Sequence, residues 1–360
     1  MVSRIERLDV QVAKIPTPAP ESDGTAEWSS TTIVIVHASA GGATGLGYSY
    51  VDAAAAAVIR DVLAEPVVGV DAMATAQAME RMLVAIRNHG RAGIGACAIS
   101  AVDIALWDLK ARLLGVPLAA LLGVVRDRVP VYASGGFTSS GLDALADELA
   151  AYVAAGHRRV KIKIGREPEH DVDRVRVARD AIGPDVELMV DANGAYMRKQ
   201  ALEMAEAFAP YRVCYFEEPV SSDDLEGLRL LRDRASIAIA AGEYGYDAFY
   251  FRRMLEAGAV DILQADATRC LGVTGFLQAD ALAVAHALPL SSHCGPSIHA
   301  HLDAAVTKLA HLEYFRDHAR LEHLLFDGVL EPVAGELTWD PRAAGLGLTL
   351  RAREARRFAA

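Results

Sequence analysis

From about Val129 onward, eight short apolar runs alternate with helical segments, and this rhythm leaves few folds open. The runs are VPVYAS, RVKIKIG, VELMVDAN, VCYFEEP, SIAIAAGE, VDILQAD, LPLSSH and AHLEY. Spacing of apolar residues predicts helices over 142–155, 170–182, 199–208, 225–234, 248–257, 275–287 and 298–309. A run that is apolar almost throughout suits a strand buried on both faces, and strand–helix alternation demands parallel pairing. Eight such units predict an α/β fold, a closed (β/α)₈ TIM-like barrel spanning 129–325.

The chain before the barrel has a different grammar. Ile5–Ile15 alternates polar and apolar residues, TTIVIVH (Thr31–His37) is a β-branched run, and Pro16–Ser30 reads as the loop between two strands. Gly45–Tyr50 continues the meander, and helices are expected over 53–64, 72–88 and 96–114, the last stopped by Gly115 with Pro117 beyond. Residues 1–128 are thus expected to form an α+β capping domain. The tail, 326–360, has no βα rhythm and is expected to return to that domain.

Bulk properties exclude several function classes. With 360 residues, 52% hydrophobic and 23% charged, the composition is globular. The formal charge of −11 comes without any basic stripe, so nucleic acid is not an expected partner. The apolar stretches are too short to span a membrane, and the N-terminus lacks a signal-peptide core. Cys97, Cys214, Cys270 and Cys294 are scattered, without the pairing of a zinc or disulfide framework, and a cytoplasmic location is the expectation.

The ends of the barrel strands carry the chemistry. Strands two to eight end in Lys161 and Lys163, Asp191, Glu217, Glu243, Asp266, His293 and Glu313. A barrel gathers these ends on one rim, where its active sites are built. Asp191, Glu217 and Glu243 are evenly spaced by 26 residues, one βα unit per step. Three carboxylates from adjacent strands suit Mg²⁺, one ion per site; helix capping is the alternative use of such acids. Lys161 and Lys163 share a strand face, and crowding two cations lowers their pKa values toward that of a usable base. Ion pairing with Glu167 or Asp191 is the alternative reading of the lysines. His293 and Asp266 end neighbouring strands, where a carboxylate can fix the imidazole tautomer for proton transfer. His299 and His301 read as caps or surface residues, and Asp103 and Asp108 as ion-pair partners on the 96–114 helix. His89, within HGRAG, is ambiguous. GGATGLG (Gly41–Gly47) neither follows a strand nor opens a helix, so it is no nucleotide loop.

These pieces resemble the enolase superfamily and, within it, the mandelate racemase subgroup (the mandelate racemase/muconate lactonizing enzyme family). The resemblance rests on KIKIG, DAN, EEP, GE, DATRCLGVTG, SSH and LE in order, with AISAVDIALWDLKARLLGVPL similar to that family's capping domain. It implies Asp191, Glu217 and Glu243 as Mg²⁺ ligands and Lys163 as the base on one substrate face, supported by Lys161. It implies His293, paired with Asp266, as the acid/base on the other face. Glu313 would donate a hydrogen bond to the substrate carboxylate, and Asn193 would line the site. Arg269 and Leu271 depart from the family's pattern and bear on substrate shape.

The implied reaction is removal of the proton next to a carboxylate, with the resulting enediolate stabilised by surrounding positive charge. Dehydration of an acid sugar to a 2-keto-3-deoxy acid, a lyase reaction, is the first expectation. Racemisation or epimerisation of a 2-hydroxy acid and sugar-acid cycloisomerisation, both isomerase reactions, are the alternatives. A non-catalytic carboxylate-binding barrel is a remoter one. Specificity is expected from segments 16–30 and 48–53, with Trp28, Tyr48 and Tyr50 as candidate substrate contacts, although domain-interface packing is an equal use for them. The resemblance also implies a homo-oligomer.

Overall fold

The computed structural model describes residues 3–360. The N-terminal segment forms an antiparallel sheet of β1 (Arg7–Ser22), β2 (Glu27–Ala40) and β3 (Ala43–Tyr50), in that order. The expected loop over 16–30 is instead the distal half of a long hairpin. Strand pairing continues from Pro16↔Ser30 to Ser22↔Glu27 after a register shift, and only residues 23–26 turn. Prolines are tolerated there because β1 lies at the sheet edge and its missing N–H groups leave no ladder bond broken.

β2 explains the unbroken TTIVIVH run. Ile33 and Ile35 pack with the barrel's outer core, while Val34 and Val36 face the capping helices, so both faces are buried. The Ile94–Leu114 helix lies against β3 and is buried on nearly every side from Gly95 to Ala111. It stops where expected: Gly115 is left-handed (φ 69°), and its N–H donates to the Ala111 and Arg112 carbonyls. The helix expected over 53–64 is interrupted by a wider turn at Ile59–Leu63, and the next runs Thr75–Ile86.

The barrel strands are β4 (Val129–Gly135), β5 (Arg159–Lys163), β6 (Glu187–Asp191), β7 (Val213–Glu217), β8 (Ala238–Ala241), β9 (Ile262–Ala265), β10 (Leu290–Ser292) and β11 (Leu309–Phe315). Each pairs in parallel with the next, and β11 closes on β4 through Leu312↔Val131 to Phe315↔Ser134. Tyr132, Met189, Tyr215 and Ala240 fill the interior below the rim, while Val160, Ile162, Val190, Phe216 and Ile239 join the layer facing the helices. The last barrel helix of the expected set is shorter and earlier than read, Pro296–Asp303 rather than 298–309. The tail pairs back onto the barrel, β1 and the segment around Pro117. Glu336–Leu337 adds antiparallel to β4, and Ala360 N–H donates to the Val12 carbonyl of β1. No helix among the described residues is long and apolar enough to cross a membrane.

Candidate active site

The alternation of β5 sends Lys161 and Lys163 into the barrel mouth and Ile162 and Ile164 outward, as the two-residue period requires. Each ammonium finds carboxylates. Lys161 Nζ donates to Glu217 Oε2 at 2.6 Å and pairs with Glu313 Oε1 at 2.8 Å. Lys163 Nζ donates to Asp191 Oδ2 at 2.5 Å. The ion-pairing alternative for Lys163 is therefore realised with Asp191.

Asp191, Glu217 and Glu243 converge from β6, β7 and the turn after β8, each buried, and one oxygen of each lies within 4.8 Å of the others. Gly242 makes the last approach feasible: a Cβ there would sit 2.1 Å from the Gln264 carbonyl, at a φ of 138°. Glu217 Oε1 and Glu243 Oε2 are buried without a hydrogen-bond partner among the described residues, an expensive state for a carboxylate. Three hard oxygen donors with unspent lone pairs fit a Mg²⁺-type cation.

On the opposite side, His293 follows β10, and its Nδ1 lies 2.9 Å from Asp266 Oδ2, with Asp266 just past β9. That bond leaves Nε2 facing the cavity, 3.4 Å from Glu243 Oε2. In barrel order β5 and β10 are separated by β4 and β11 on one side and by four strands on the other, so Lys163 and His293 stand across the mouth.

A cavity of about 430 Å³ opens between these residues and the capping sheet. Lys163, Asn193, His293 and Glu313 line its floor; Asp23, Trp28, Thr31, Tyr50 and Asp52 come from the N-terminal segments. Trp28 thus reaches the cavity, its Nε1 held by Glu21 Oε2 at 3.0 Å. Tyr48 does not. It shares a face with Tyr50 but sits one side-chain pair deeper on β3, fully buried, with its hydroxyl donating to Glu322 Oε1 at 2.6 Å.

Three other expectations are corrected. His299 and His301 are interior residues rather than caps or surface groups. His299 Nε2 accepts from Ala267 N–H at 2.9 Å and Nδ1 donates to the Cys294 carbonyl at 2.7 Å, tying the two rim loops together. Asp108 pairs with Arg112 as expected, but Asp103 has no ion-pair partner among the described residues and accepts from the Thr274 backbone and hydroxyl. The lysines are not depressed by crowding. Burial acts to lower both, but Glu217 and Glu313 beside Lys161, and Asp191 beside Lys163, outweigh it and raise both.

Glu313, expected to donate a hydrogen bond to the substrate carboxylate, sits among groups that favour its charged form. Burial would raise it, yet Lys161 and His293 hold it well below the usual carboxylate range, and the Cys294 N–H donates to it. Burial likewise would raise Glu243, but His293 and Arg269 hold it at about 2. Burial and Asp191 together push Glu217 up to about 8. His293 is raised from its ordinary value: burial opposes its charge, and Glu243 and Glu313 favour it more strongly.

Some contributions escaped sequence reasoning, including the ion-pairing role of Arg269, which the sequence linked only to substrate shape. Arg269 Nη1 lies 3.2 Å from Glu243 Oε1 and its Nε 3.6 Å from Asp266 Oδ2, linking the carboxylate cluster to the histidine's partner. Its position three residues after Asp266 was the available signal. Glu218 is buried beside Glu243 because its φ of 37° breaks the alternation that would turn it outward. Asp317 and His318 line the cavity from the helix after β11, and no local pattern marks them.

Comparison with known proteins matches this arrangement over both parts of the chain. Residues 144–355 match the family described as enolase C-terminal domain-like, and residues 7–123 the mandelate racemase / muconate lactonizing enzyme N-terminal domain. The L-talarate/galactarate dehydratase of Salmonella typhimurium is 33% identical over 367 residues, covering 99% of this chain and 91% of that protein. A mandelate racemase/muconate lactonizing enzyme-like protein from Rubrobacter xylanophilus superposes with a TM-score of 0.97 at 55% identity, covering 99% of this chain and 100% of the other. A racemase from Streptomyces coelicolor A3(2), solved with bound magnesium, gives 0.94 at 32% identity, with 99% and 100% covered. Capping sheet, closed barrel and rim carboxylates together place the chain in the mandelate racemase/muconate lactonizing enzyme family of the enolase superfamily.

Proposed function

We propose that this protein is a Mg²⁺-dependent acid-sugar dehydratase. The observation that carries the reading is the placement of Lys163 and the His293–Asp266 pair across the mouth from each other, with three convergent carboxylates between them. Similarity to the Salmonella typhimurium dehydratase over nearly the whole chain supports dehydration in particular.

Asp191, Glu217 and Glu243 are the residues that would hold the cation. When bound, it supplies fixed positive charge beside the substrate carboxylate. Lys163 takes the α-proton as the neutral amine, a form that its ion pair with free Asp191 disfavours and that would become accessible when Asp191 holds the cation, and the C–H electron pair passes into the carboxylate as a dianionic enediolate. Lys161, held between Glu217 and Glu313, keeps its positive charge near that group, and a charge that meets the dianion better than the ground state lowers the barrier. His293 then delivers a proton to the β-hydroxyl as its C–O bond breaks. Water leaves, and the resulting enol becomes the 2-keto-3-deoxy acid. Asp266 orients the imidazole and supports its positive form. Trp28 and Asn193 are substrate-contact residues in this reading.

Proton NMR of pooled sugar acids and 2-hydroxy acids in D₂O, with enzyme and Mg²⁺, tests the proposal. Loss of an α-proton signal with growth of a deoxy methylene is expected, abolished by EDTA and restored by Mg²⁺. Activity in fully chelated enzyme would sink the carboxylate-triad assignment. Deuterium at the α-carbon with an inverted centre would replace dehydration by racemisation or epimerisation, and an isomeric product without loss of water would indicate cycloisomerisation.

A further inference from the structure

A second set of donors converges on His293, and the dehydration chemistry leaves one of them, Cys294, unused. Cys294 directly follows His293, and in extended chain its side chain would point to the opposite face. Its φ of 54°, followed by 47° at Gly295, is left-handed and turns the thiol back toward the imidazole. Cys294 Sγ lies 3.3 Å from His293 Nε2 and 3.4 Å from Glu313 Oε2. The third edge, Nε2 to Oε2, is 3.6 Å.

The triangle has the dimensions of a metal site. Tetrahedral zinc with bonds of about 2.0–2.1 Å to nitrogen and oxygen and about 2.3 Å to sulfur needs donor–donor edges of about 3.3–3.6 Å. The edges between His293, Cys294 and Glu313 lie within about 0.3 Å of that geometry, and all three residues are buried. His293 Nδ1 is already occupied by Asp266, the outer partner that orients a ligating imidazole and directs its Nε2 lone pair. All three residues line the cavity, which leaves the fourth coordination position open to it. Thiolate and imidazole select a softer ion than the neighbouring three carboxylates do.

We propose that His293, Cys294 and Glu313 form a second, zinc-type metal site whose occupation blocks turnover. On binding, the Cys294 thiol and the protonated Nε2 of His293 release their protons to solvent, and sulfur and Nε2 bond the metal. Nε2 of His293 is then taken and cannot carry a proton to the leaving hydroxyl. The block of turnover rests on the role proposed above for His293; the existence of the site does not.

Full-length protein saturated with Mg²⁺ is titrated with Co²⁺, an absorbing surrogate for zinc. A sulfur-to-cobalt charge-transfer band in the near ultraviolet is expected, saturating at one equivalent, bleached by Zn²⁺ and absent from Cys294→Ala. Cys294→Ser replaces that variant if alanine fails to fold. Zn²⁺ should inhibit the wild type at least ten-fold more tightly than the variant. Cobalt binding without the band, or the same band in the variant through Cys97, Cys214 or Cys270, would overturn the site. A band without inhibition would overturn the block of turnover alone, and the band can be read even if no sugar acid proves to be a substrate.

Discussion

Lys161 and Lys163 stand two positions apart on one strand and share Asp191, at 3.6 and 2.5 Å, but only Lys161 also pairs with Glu217 and Glu313. Lys161 is fully enclosed, whereas Lys163 is 6% exposed and lines the cavity, which makes Lys163 the one able to reach a substrate. Replacing Lys163 with alanine should lower turnover by about 10²–10⁴-fold, the usual contribution of a positioned base. A change of less than about tenfold would remove that role. His293→Asn should abolish loss of the β-hydroxyl while α-proton exchange with D₂O on the Lys163 face continues. Loss of all exchange, with fold and metal binding intact, would contradict a two-sided site.

At the scale of elements, the capping sheet and the Ile94–Leu114 helix meet almost backbone to backbone. A Cβ at Gly47 would lie 2.2 Å from the Ala101 carbonyl oxygen, and one at Gly45 2.2 Å from that of Ala105. Neither neighbour is a flexible side-chain end, so the helix itself would have to move. Gly47→Ala is expected to destabilise the fold by about 1–3 kcal/mol in chemical denaturation, the range for overpacking a close contact. A loss below about 0.5 kcal/mol, the scale of an ordinary surface substitution, would show that the helix shifts freely. The same glycines were visible in GGATGLG, where the sequence argues against a nucleotide loop but not for a helix contact. Periodicity identified the strands and most helices because burial imposes it. It failed at Pro16–Ser30, where an edge position tolerates prolines that would break a central strand.

The molecule as a whole holds two buried acids at the seam between capping elements and barrel. Asp103 bonds Thr274, and Glu322 accepts from Tyr48 and Ser297. Burial, only partly offset by these hydrogen bonds, raises each to about 7, from 3.8 and 4.5. The folded state therefore binds more protons than the unfolded chain between about pH 4 and 7. The resulting stabilisation is fully present below the unfolded values and is lost as pH rises through about 7. Urea denaturation should show the wild type losing stability relative to Asp103→Asn/Glu322→Gln from pH 5 to pH 8. A pH-independent difference would mean that these acids are already ionised in the fold.

The barrel, the capping unit's mixed character and the rim residues from Lys161 to Glu313 were all legible in the chain. Strand burial leaves charged residues only at strand ends, and the βα repeat puts those ends on one rim. Tertiary structure alone decided what each rim residue meets. Lysine pairing, the cationic neighbours of Glu313, the burial of Tyr48, His299 and His301, and the inward turns of Glu218 and Cys294 all depend on neighbours distant in sequence or on a local left-handed φ. Sequence periodicity records which way a side chain faces; the charge and depth of the surroundings arise only when the strands and the capping sheet close around it.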